Sequence, residues 1–106
     1  MNSSGWIRSM IAANYAEEKF LKAVGDIIGK EFDKEVLILE ITKDNYLISM
    51  DEYSLIIDKT MISNLKGPIG PYRLDRYILE AFMIQGIAFD KRRSQYVRYV
   101  FGIFRD

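Results

Sequence analysis

"EVLILEITKDNYLISMDEYSLIID", residues 35–58, is the stretch whose reading decides the fold. It contains three β-rich runs, "EVLILEITK", "YLISM" and "YSLIID", separated by Asp44-Asn45 and Asp51-Glu52. Asn tolerates positive φ, so Asp-Asn suits a tight hairpin. Parallel crossovers need a dozen or more linking residues, which are absent here, so the runs read as an antiparallel meander.

Two-residue loops fix the expected register, with Glu40 opposite Ser49 and Ser49 opposite Ser54. One face then carries Leu37, Leu39, Ile41, Tyr46, Ile48, Met50, Tyr53, Leu55 and Ile57, and reads as core. The other carries Val36, Ile38, Glu40, Thr42, Leu47, Ser49, Ser54, Ile56 and Asp58, with Glu40, Ser49 and Ser54 forming a polar row.

Upstream, "NYAEEKFLKAVGDIIGKEF" sets Ala16, Phe20, Val24, Ile27 and Ile28 at helical spacing, with Lys19, Lys22, Asp26 and Lys30 opposite. Asn14 and Glu17 have capping-box spacing and predict a helix start, with Trp6, Ile7, Met10 and Ile11 in a preceding turn or a backward extension. Downstream, "KTMISNLKGPIGP" holds both prolines and reads as a loop with a helical turn at residues 60–65. Pro71 and Gly86 bracket a second long helix, on which Leu74, Tyr77, Ile78, Ala81, Phe82 and Ile84 form the expected core arc.

The chain closes with "GIAF" and "DKRRSQYVRYVFGIFRD". Alternation over residues 95–105 sets Val97, Tyr99, Phe101 and Ile103 on one face, predicting a last core strand entered through a basic turn. The expected order is therefore α-β-β-β-α-β-β, an α+β domain over residues 1–106 with an antiparallel sheet and two helices mainly on one face.

Composition narrows the chemistry. With 106 residues, 49% apolar content and only seven Gly and two Pro, the chain has the makings of one globular core. It contains no Cys and no His, which removes thiolate nucleophiles, disulfides, imidazole metal ligands and the usual general base. We expect no cofactor, no metal and no catalytic role. The lack of cysteine fits a reducing cytoplasm, and Arg8 within the first apolar stretch argues against a signal peptide or membrane span.

Residues 1–53 carry six cationic side chains against ten acidic ones, and residues 54–106 carry nine against five. A neutral total disfavours nonspecific DNA binding, although the asymmetry allows one basic face. Lys91, Arg92, Arg93, Tyr96 and Arg98 are the candidate nucleic-acid contacts, combining charge with stacking.

The order α-β-β-β-α-β resembles the core of PD-(D/E)xK nucleases, which implies a metal held by acids and a lysine on one sheet face. That site needs an acid and a Lys two residues apart on a strand. Glu40 is instead followed at that spacing by Thr42, and Asp58 by Thr60, while Lys43 and Lys59 fall on opposite faces.

The second helix carries a further apolar stripe of Tyr72, Leu79 and Met83 beside Arg73, Arg76 and Glu80. Either the first helix covers that stripe or a partner does, and Tyr, Met and Arg are enriched in interface cores. By this reading the chain is a small interaction module of inhibitor, immunity, adaptor or chaperone type. It binds a protein, or a second copy as a homodimer, through Tyr72, Arg73, Arg76, Leu79, Glu80 and Met83.

Overall fold

The computed structural model describes residues 16–66 and 70–104. Its elements run α1 (Glu17–Phe32), β1 (Leu37–Thr42), β2 (Asn45–Met50), β3 (Tyr53–Asp58), α2 (Lys59–Leu65), α3 (Arg73–Gln85) and α4 (Gln95–Val100). The chain is α+β, with one antiparallel sheet in the order β1-β2-β3.

The described chain ends in a helix where two strands were expected. Residues 86–94 form no regular element, and α4 occupies the run that alternation marked as a strand. Its buried positions are Val97 and Val100, and buried Phe101 follows at the helix end, spaced by three and four from Val97, so the apolar run satisfies the helical period as well. Ser94 decides between the two: its hydroxyl accepts from the Val97 N–H at 3.1 Å and starts the helix. Gly102, at φ 69, ends it. The Ile103 N–H then reaches the Arg98 carbonyl at 2.8 Å.

The first hairpin also departs from the expected register. The turn is Lys43-Asp44 and Asn45 already pairs with Thr42, with a bulge between Glu40 and Thr42. Leu37 therefore stands opposite Ser49 and Glu40 opposite Tyr46. Along β1 this is a shift of three residues, an odd number, so the two faces of β1 exchange places. Ile38 and Glu40 join the inner face, while Leu37, Leu39 and Ile41 turn out toward solvent. The second hairpin keeps the expected register, with Ser49 opposite Ser54.

Two glycines on α1 account for the exchange. A Cβ at Gly25 would lie 2.8 Å from Ile38 Cδ1, and one at Gly29 would lie 2.7 Å from the Lys34 carbonyl oxygen. This notch lets β1 come against the helix with Val36 and Ile38 pointing in, which the expected face assignment did not allow.

The core lies between the inner sheet face and the helices. Phe20, Leu21, Val24 and Ile28 of α1 meet Tyr46, Ile48, Met50 and Ile57 of the sheet and Leu74, Ile78, Leu79 and Phe82 of α3. On α3, Ile84 is not part of the core arc expected for it and is 87% exposed, on the polar side with Arg76 and Glu80. At the start of α1, Asn14 lies outside the described residues. The cap position is Ala16, so Glu17 is the first helical residue and not the third, as a capping box needs.

Candidate interaction surface

The outer face of the sheet is the feature the chain order least explains. Leu39, Leu47 and Ile56 stand in one cross-strand line, paired Leu39 to Leu47 and Leu47 to Ile56. Leu39 is 57% exposed and Ile56 59%, with Leu37 at 51% and Ile41 at 44% beside them. Ser49 and Ser54 continue the Leu37 row, and Asn45 and Asp58 lie at the other end. The result is an apolar strip, polar at both ends, across all three strands. Sequence reasoning missed it because β1 is apolar at nearly every position and alternation could not choose its face. The Gly25-x-x-x-Gly29 spacing was the signal available.

The two sheet edges differ. On β3, the Ser54 N–H donates to Gln85 Oε1 at 2.9 Å, and Gln85 Nε2 donates back to the Ser54 carbonyl. One side-chain amide thus stands in for a neighbouring strand. β1 forms the opposite edge, and four of its last five outer and inner positions, from Leu39 to Thr42, are exposed along with Leu37.

The predicted helix stripe is divided by the fold. Leu79 is fully buried, and α1 packs against α3 as the sequence reading allowed. Met83 and Tyr72 are partly buried against the core, and the Tyr72 ring centroid lies 6.1 Å from those of Tyr96 and Tyr99. Arg73, Arg76 and Glu80 are exposed. Arg76 pairs with Glu80 at 3.3 Å and lies 5.6 Å over the Phe101 ring.

The basic turn is likewise engaged in structure. Arg93 meets Glu31 at 2.9 Å and stacks 4.7 Å over Phe32, while Lys91 lies 4.9 Å over Phe101. Glu31 also accepts from the Ser94 hydroxyl at 2.9 Å, tying the end of α1 to the start of α4. Arg98 Nε donates to the Arg92 carbonyl at 3.4 Å. The Tyr96 hydroxyl donates to Asp75, which is fully buried on α3.

The acids raised by the nuclease resemblance are occupied otherwise. Asp58 caps α2, accepting from the Met61 N–H at 2.7 Å, and Glu40 pairs with Lys59 at 3.8 Å. Among the described residues no group of three or more acids is placed to hold a metal ion. Nor is any helix there long and apolar enough to cross a membrane. No family model matches the chain, and no curated protein or solved structure matches it either.

Proposed function

We propose that the chain is a cytoplasmic protein-interaction module, and that its contact surface is the outer face of the sheet. The observation that carries this reading is the line Leu39, Leu47, Ile56 in cross-strand register on the outer face, with Leu39 and Ile56 exposed and Leu47 half-buried between them. Fully burying a Leu or Ile side chain is worth about 1.5–3 kcal/mol. Covering the half-exposed Leu37, Leu39, Ile41 and Ile56 therefore offers roughly 3–6 kcal/mol to a partner.

The partner that fits is an amphipathic helix. Three strands set about 4.8 Å apart make a strip about 10 Å between its outer strands, the diameter of one helix. The inner face of the same sheet already takes α1 and α3 in this way. The cysteine-free sequence supports the cytoplasmic part of the proposal. A nucleic-acid role through the basic turn draws less support, because the Tyr96 hydroxyl is committed to Asp75 and Arg93 to Glu31.

The test places a photo-crosslinking residue at Ile56, with one at Ile84 as control, in the native cell. A discrete adduct from position 56 that disappears when Leu39→Glu is added supports the proposal. Equal labelling from both positions, or no adduct from either, removes it.

A further inference from the structure

The start of α3 and the end of α4 border a cleft of about 410 Å³, lined by Pro71, Tyr72, Arg73, Arg76, Tyr99 and Phe104 among others. Pockets of about 300–1,000 Å³ with apolar walls and a few fixed polar groups are where small molecules bind.

The walls of this one are aromatic. The Tyr99 ring centroid lies 6.1 Å from that of Tyr72, with the planes 38° apart, and 5.6 Å from that of Phe104, with the planes 42° apart. Gly102, at φ 69, and the Ile103 N–H on the Arg98 carbonyl turn the chain back after α4, which sets Phe104 beside Tyr99. Phe104 is still 72% exposed. A ring left that far in water gains from another ring laid against it, offset or edge-on.

The polar groups are also held in place. Arg73 and Arg76 stand three residues apart in the first turn of α3 and share a side of the helix. Gly70 has φ 71, and a Cβ there would lie 2.8 Å from Arg73 Cδ, so the turn before α3 accommodates the stem of that arginine. Arg76 is steadied by Glu80 at 3.3 Å and by the Phe101 ring at 5.6 Å. Among the described residues lining the cleft there is no acid. Glu80 offsets one of the two cations, and Asp75 is turned to the Tyr96 hydroxyl, so the rim keeps a net positive charge.

We infer that the cleft binds a small planar aromatic carboxylate, with its ring against Tyr99 and Phe104 and its carboxylate on the Arg73 and Arg76 guanidiniums. A guanidinium offers a carboxylate two parallel N–H donors, and an acid carried on an aromatic ring uses the rim and the walls together. No strand residue is among the described residues lining the cleft, so this site stands or falls apart from the helix-binding reading of the outer sheet face.

The test is a titration of the full chain with naphthoate at low salt, followed by proton–nitrogen correlation NMR, with naphthamide as the uncharged control. Naphthoate shifts the Gly70 and Gly102 amides saturably and gives nuclear Overhauser contacts to the Tyr99 and Phe104 rings. Naphthamide binds about fivefold more weakly or worse, because it cannot form the charge-assisted pair. The double variant Arg73→Gln, Arg76→Gln loses that preference for the acid and keeps the weaker binding of the amide. Phe104→Ser weakens both compounds by about fivefold or more. All three side chains are exposed, so these variants keep the wild-type circular dichroism. Absence of saturable shifts at Gly70 and Gly102 overturns the proposal. So does equal affinity of the wild type for acid and amide, which would mean apolar adhesion without recognition of charge. Shifts confined to Leu47 and Ile56 overturn it as well, since they would place the naphthoate on the outer sheet face.

Discussion

Gln85 supplies Ser54 with both of the hydrogen bonds that a fourth strand would have given it. The contact joins the last residue of α3 to the outer edge of β3, and so fixes the helix along the sheet while closing that edge. Among the described residues no further strand extends the sheet at that edge. Gln85→Ala should cost about 0.5–1.5 kcal/mol in denaturant unfolding, the range of ordinary net hydrogen bonds, since water can reach the freed groups. Hydrogen exchange at the Ser54 amide should accelerate beyond what the global stability loss explains. Unchanged exchange at that amide would show that the edge is held by something else.

The inverted register of β1 predicts opposite outcomes for adjacent residues. Leu39 faces solvent, so Leu39→Ser should change stability by no more than about 0.5 kcal/mol. Ile38 packs against the core at Gly25, so Ile38→Ser should cost about 2–4 kcal/mol. Urea denaturation of both variants decides the matter. The reverse ranking would restore the register expected from two-residue loops and return Leu37, Leu39 and Ile41 to the core.

That pair of residues also marks where the sequence stops being informative. The three strands, their antiparallel order, the second hairpin, and the two long helices were legible from local patterns: turn residues, helical periodicity, and Gly86 after α3. The face of β1 was not, because Val36, Leu37, Ile38, Leu39 and Ile41 are all apolar. Gly25 and Gly29, remote in sequence, make that choice together with a bulge that no composition signal announces. The interaction surface was missed for the same reason. In residues 95–103 the apolar positions fit two periods at once, and the cap at Ser94, with Gly102 as its stop, outweighs the alternation.

Glu17 carries a prediction about pH. Its carboxyl titrates below the ordinary range, chiefly because a backbone N–H at the helix start bonds it and also because the Ser63 hydroxyl donates to it at 3.0 Å. A folded-state pKa below the unfolded one means that the ionised Glu17 carboxylate stabilises the folded chain above about pH 4.5, through the backbone N–H first and the Ser63 contact with α2 second. That contribution is lost as pH falls through the lower folded value. Ser63→Ala should raise the Glu17 midpoint toward the ordinary carboxylate range in a side-chain NMR titration. It should also shrink the stability difference between neutral and acid pH. A midpoint that does not move would assign the whole effect to the helix terminus.

The notch on α1 gives the sharpest test of what sets the face of β1, because its two glycines differ in what a methyl group would meet. At Gly25 the obstacle is the terminal methyl of Ile38, the far end of a side chain that can rotate away. At Gly29 it is the backbone oxygen of Lys34, held by the helix end where the Lys34 N–H returns to the Gly29 carbonyl at 2.9 Å. Alanine also gains about 1 kcal/mol of helix propensity over glycine at either site. Gly25→Ala should therefore come out near neutral in thermal unfolding. Gly29→Ala should lose about 1–3 kcal/mol, since backbone must shift to admit the methyl. Equal effects at the two sites would mean that the strand adjusts as a whole, and that some contact other than this notch turns Leu37 and Leu39 outward.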